Sequence, residues 1–164
     1  MHISKTDRVA KMMLVIGAAL ALSACASGVD ITTEPVNPIY NAQGARQTAN
    51  GTETVEVRTF VGRRQEITDV PCQISSPFYA ARVTTPAQII LPSFAEQTPA
   101  ITMSCTHEGE TRSASFTPVN RTVEKRTRAW GGGLLTYAMV AGSTKAENSV
   151  FGYNQLRIDF GQAE

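Results

Sequence analysis

The residues able to do chemistry in this 164-residue chain are few: Cys25, Cys72 and Cys105, with His107 two positions beyond the last of them. The only other histidine is His2, at the amino terminus. On an extended strand Cys105 and His107 would point to one face, and with Cys72 they form a soft and borderline set of the kind zinc takes. Zinc, however, uses four protein ligands in a structural site and three plus water in a catalytic one. No fourth candidate accompanies these three, so no metal and no other cofactor is expected. The distance between Cys72 and Cys105 rules out a Cys-x-x-Cys redox pair. No GxSxG, SxxK or phosphate-binding loop occurs. Acidic residues are scattered singly. Glu108 and Glu110 flank Gly109 as a polar turn would, not as the paired carboxylates of a glycosidase. A Ser/His/Asp triad would have to be built on His107, and nothing marks its partners. The chain is expected not to be an enzyme.

The amino-terminal stretch has a different kind of chemistry. Lys5, Arg8 and Lys11 precede an unbroken apolar run, MMLVIGAALAL, at residues 12–22. Basic, then apolar, then small is the layout of a secretory signal, and the run is too short for a helix that spans a bilayer, which takes about 20 residues. Leu22-Ser23-Ala24-Cys25 directly follows and resembles the bacterial lipobox. That resemblance implies a signal peptide over residues 1–24, a diacylglyceryl group on the Cys25 thiol, and cleavage that makes Cys25 the first residue. Each buried methylene contributes about 0.8 kcal/mol and one short chain binds only reversibly, so two or three acyl chains make a stable anchor. The next residue is Ala26 rather than the Asp that resembles an inner-membrane retention signal in enteric bacteria. The expected address is therefore the inner leaflet of the outer membrane, with the domain facing the periplasm.

Cleavage would remove Lys5, Arg8, Lys11 and Asp7, leaving twelve basic and thirteen acidic residues, a net charge near −1. Such a balance lacks the basic footprint of nucleic-acid binding, and the short GRR (62–64) and EKRTR (124–128) clusters read as solvated surface. With Cys25 taken by lipid, Cys72 and Cys105 remain as an even pair in an oxidising compartment. A structural disulfide between them is expected, on strands that could face each other across a sandwich; two buried free thiols are the alternative.

Residues 25–52 are small, polar and broken by Pro and Gly, and read as the lipidated terminus and a flexible tether. Val36, Ile39 and Tyr40 are the positions at which it could touch the domain. From residue 53 the texture alternates. Strands are expected at 53–61, 69–75, 78–85, 87–92, 100–107 and 111–119, punctuated by Pro and Gly, with a last one at 153–160 carrying Leu156, Ile158 and Phe160 on one face. Residues 120–130 fit a helix or a seventh strand. Gly131–Gly133 should turn, and LLTYAMVAG should then pack on the sheet; docking on a membrane surface or a partner is the alternative for the Gly-rich segment 131–142. Together the strands predict a mainly β domain over 53–164, a small antiparallel β-sandwich.

The order PCQI, RVTTPAQIILP, PAITMSCTHEG and SASF is similar to that of small alphaproteobacterial lipoproteins with a PEGA-like β domain, over about residues 66–160. The chain lacks a PEGA tetrapeptide, and Gly109 is followed by Glu110 rather than an aromatic residue. The resemblance implies a small β-sandwich and no established activity. The functional expectation is a non-catalytic binding or structural module bound to the bilayer through Cys25. An envelope protein or peptidoglycan would be its partner, with Trp130, Tyr137 and Phe151 as the candidate contact residues. An accessory subunit of a larger envelope complex is the second reading, and a cell-envelope hydrolase the third.

Overall fold

Alternation of apolar and polar residues builds two sheets that share one core. The computed structural model describes residues 28–161 apart from Ala42 and Arg63; the signal segment and Cys25 lie outside the described residues. The strands run β1 (Ile39–Tyr40), β2 (Gly51–Val61), β3 (Gln65–Ile67), β4 (Val70–Ser75), β5 (Tyr79–Thr85), β6 (Ala87–Ser93), β7 (Ile101–His107), β8 (Glu110–Phe116), β9 (Val119–Asn120), β10 (Phe151–Gly152) and β11 (Leu156–Asp159). The helices are α1 (Ala45–Thr48), α2 (Arg121–Ala129) and α3 (Leu134–Ser143).

One sheet has the order β1-β5-β4-β7-β8 and is antiparallel throughout. The other is built on the long β2: β6 pairs with Gly51–Val57, β3 with Thr59–Val61, and β11 with Val57–Phe60. The closing strand was expected, but it runs parallel to β2. In β4 the burial alternates without exception, and Val70, Cys72 and Ile74 point inward. These residues, with Val83 and Met103, meet Val55, Val57, Ile89, Leu91 and Leu156 from the second sheet in a single buried cluster. Two inner faces closing on one core make the domain a β-sandwich. Thr59 and Thr85, one from each sheet, are both buried and hydrogen-bond to each other at 2.6 Å, so neither hydroxyl is left unpaired. The β7–β8 hairpin turns through Glu108 and Gly109, both at positive φ, with His107 opposite Glu110. A two-residue loop with both φ values positive matches the right-handed twist of the flanking strands.

Two expectations about the chain's organisation need correction. The boundary at residue 53 falls inside the domain. Val36 exchanges backbone hydrogen bonds with Gln88 and Ile90 (2.8 and 2.9 Å), β1 extends the five-stranded sheet beyond β5, and Ala45 is buried in the core. Further back, the Val29 amide donates to Glu66 and its carbonyl accepts from Arg58. Residues 28–52 therefore lie along the domain rather than acting as a free tether. They show no period because isolated apolar residues and backbone pairing hold them, not a repeating face. Among the described residues, the buried cluster and the side chains packed against it run from Val36 to Phe160.

The second correction concerns residues 131–142, which do not pack on the sheet. They form the glycine turn and most of α3, standing against α2 as a helical hairpin.

Candidate functional site

The thiol chemistry of Cys72 and Cys105 is closed. Cys72 on β4 and Cys105 on β7 are joined in a disulfide, with Cα atoms 4.1 Å apart and a sequence separation of 33. They are directly opposite in the antiparallel ladder, so the bond lies within one sheet. The expectation of a link across the sandwich is corrected: both side chains face the core, but from neighbouring strands. His107, at the end of β7, places its ring 5.5 Å from that of Phe160. A hollow on the described surface lies elsewhere, against β4, β5 and β7. It is lined by Thr33, Glu34, Gln73, Arg82, Thr84 and Ser104 among others. Among the described residues no three His, Cys, Asp or Glu side chains converge as a metal site.

What the fold leaves open is the helical hairpin. Asn120 starts α2 by accepting a hydrogen bond from the Val123 amide at 3.0 Å, which satisfies one of the orphan donors of the first turn. Val123 and Thr127, one turn apart, are buried; Lys125, Arg126 and Arg128 are exposed. Gly131, Gly132 and Gly133 then all take positive φ, at 90°, 70° and 99°. Three consecutive residues in that region explain a run of glycine, since a side chain there costs about 1–2 kcal/mol per residue. Gly132 donates to the Thr127 carbonyl at 2.9 Å and closes α2. In α3 only Val140 is buried. Leu134 is 88% exposed, Leu135 80%, Met139 66% and Tyr137 51%, and Trp130 at the end of α2 is 75% exposed. From Ala129 to Thr144 there is no charged residue.

Of the three aromatic residues singled out from the sequence, Trp130 and Tyr137 both belong to this hairpin. Phe151 does not join them. It sits half-buried on β10 opposite Asn120, and its amide donates to Ser93 Oγ. Trp130 is ten residues further along the α2 path, about 15 Å at 1.5 Å per residue. Leu134, Leu135 and Met139 were not singled out from the sequence. The signal that identifies them is the sixteen-residue stretch without charge, bounded by Arg128 and Lys145.

Arg121 fixes the hairpin to the sandwich. Its guanidinium pairs with Glu53 of β2 at 3.0 Å and with Glu124 at 2.8 Å, and also donates to Asn154 and to the Tyr153 carbonyl. Gly152 leaves room for this cluster: a Cβ there would overlap the Glu53 carboxylate. The hydrogen bond from Arg121 is the main cause holding the Glu124 carboxyl below its usual range, against partial desolvation. Behind it, Tyr79 and Tyr153 place their buried hydroxyls 3.1 Å apart, and Tyr153 donates to the Pro99 carbonyl. Burial raises both phenols, and at Tyr79 the Tyr153 hydrogen bond raises it further. A raised phenol favours the fold while neutral, and the unfolded chain ionises at about pH 10. The contribution is thus complete below about pH 10 and is lost as the pH rises above it. Melting temperatures are expected to drop above about pH 10, and Tyr79→Phe should flatten that drop; equal slopes for the two proteins would refute the assignment.

A scan against protein-family models, a search of curated proteins and a search of solved structures each found no match to this chain.

Proposed function

We propose that this chain is a lipid-anchored protein of the bacterial cell envelope whose β-sandwich faces the periplasm and works by binding rather than by catalysis. The observation that carries the reading is the division of its three cysteines. Two are joined in the core, as befits an oxidising compartment, and the third closes a lipobox-like motif directly after an apolar segment. The outer membrane's inner leaflet is the favoured location, because Ala26 follows Cys25. An envelope protein or peptidoglycan is the partner class of the sandwich. The second reading is an accessory subunit of a larger envelope complex.

Intact-mass analysis of the protein extracted from its native membrane tests the anchor. The expected species begins at Cys25 and carries a diacylglyceryl group; a full-length chain with unmodified Cys25 would overturn the reading. Cys25→Ser should accumulate as the precursor, without lipid.

A further inference from the structure

We infer that the α2–α3 hairpin is a membrane-docking element that seats its apolar tip in the interfacial layer of an anionic phospholipid surface. The inference stands on the hairpin itself and holds whether or not Cys25 is acylated. A helix that is apolar all round belongs in an interior, and α3 carries no charge yet buries only Val140. At 100° per residue, the exposed positions Leu134, Leu135, Tyr137 and Met139 spread over an arc of about 200°. A helix that lies in a protein groove presents one stripe at i, i+3, i+4 and i+7 spacing. A surface this wide, continued over the glycine turn to Trp130, fits a medium that surrounds the tip.

The charges define what that medium carries. Residues 121–148 hold five basic side chains and two acidic ones, a local net charge of +3, while the rest of the chain from Cys25 onward sums to −4. Lys125, Arg126, Arg128 and Lys145 are all exposed and bracket the uncharged stretch on both sides. An apolar centre with a cationic rim complements acyl chains beneath anionic headgroups. Trp130 stands at the junction of the two zones, where an amphipathic ring is favoured. The ten residues of α3 reach about 15 Å, half of a hydrocarbon core of about 30 Å. The element therefore enters one leaflet and does not span. Among the described residues no helix is long and apolar enough to cross.

Trp130 is the only tryptophan of the chain, so its fluorescence reports on the site directly. The chain from residue 25, with Cys25→Ser so that it carries no acyl group, is titrated with vesicles of phosphatidylethanolamine and phosphatidylglycerol, and separately with phosphatidylcholine vesicles. A blue shift and co-sedimentation are expected with the anionic vesicles, weakened by salt. The pair Lys125→Gln and Arg128→Gln should lower the partition coefficient about 30-fold, at the usual gain per basic residue near such a surface. Leu134→Asp with Leu135→Asp should abolish binding while leaving the circular-dichroism melt intact, because both leucines are exposed. No shift with anionic vesicles, or binding indifferent to the leucine pair, would overturn the inference. So would a concentration-dependent dimer that the leucine pair dissolves, because a second copy would then be what covers the helix.

Discussion

Replacing Cys72 and Cys105 together with alanine is expected to lower the melting temperature by roughly 10–15 °C. The disulfide closes a loop of 33 residues, and on the chain-entropy model such a cross-link removes freedom from the unfolded chain worth about 3–4 kcal/mol. Against a typical total stability of about 5–15 kcal/mol, that is a large share. Position adds to it. β4 is the middle strand of the five-stranded sheet and β7 its neighbour, and both cysteines are buried in the shared core. Losing the sulfur atoms therefore also removes packing at a place with little room to relax. Alanine is the right substitute here, because serine would place an extra hydroxyl in an apolar site. Scanning calorimetry with and without reductant separates the contributions: reductant should shift the native protein toward the variant and leave the variant unmoved. A variant that melts with the native protein would show that the bond contributes nothing.

Arg121→Ala is expected to cost about 1.5–3 kcal/mol, the range for hydrogen bonds to charged groups. The effect should be local before it is global. Arg121 joins the first turn of α2 to Glu53 on β2 and to the segment before β11. Without it Glu53 keeps the amide of Tyr153 but loses its cation. Hydrogen exchange should accelerate across residues 121–143 well before β4 and β7 open. Arg121→Lys should not restore protection, because an ammonium cannot reproduce a planar fork that reaches several acceptors at once. The pair also sets an acid response. Glu124 has a depressed folded pKa, so its contribution is present above the unfolded value of about 4.3 and is lost as pH falls through the folded one. Arg121→Ala should remove that part of the acid sensitivity. Uniform exchange rates across hairpin and sandwich would argue against Arg121 as the tie between them.

The hairpin also explains where sequence reasoning stops. Residues 131–142 are apolar and rich in small residues, and burial is the default inference for such a segment. Yet apolar composition says only that water is a poor solvent for it. What covers it is a separate matter, and in this fold the inner faces of the two sheets are already packed on each other. Val140 alone finds a place in the interior. Phe151 illustrates a second limit: aromatic type and proximity in sequence suggested one patch with Trp130 and Tyr137, but its pairing opposite Asn120 holds it at the base of α2.

By itself the sequence determined the β class, the positions of most strands and the common face of Leu156, Ile158 and Phe160, all three buried. Period-two alternation is a local property, and a strand such as β4 carries it without exception. It also determined that Cys72 and Cys105 are an even pair once Cys25 is assigned to a lipobox-like motif. Tertiary structure alone decided which strands are neighbours: that the cysteines face each other within one sheet, that β11 runs parallel to β2, and that Val36 and β1 join the domain. Alternation specifies a face but not a partner, because backbone hydrogen bonds are alike in every strand. Exposure of α3 belongs with these, since it depends on what the rest of the chain leaves uncovered.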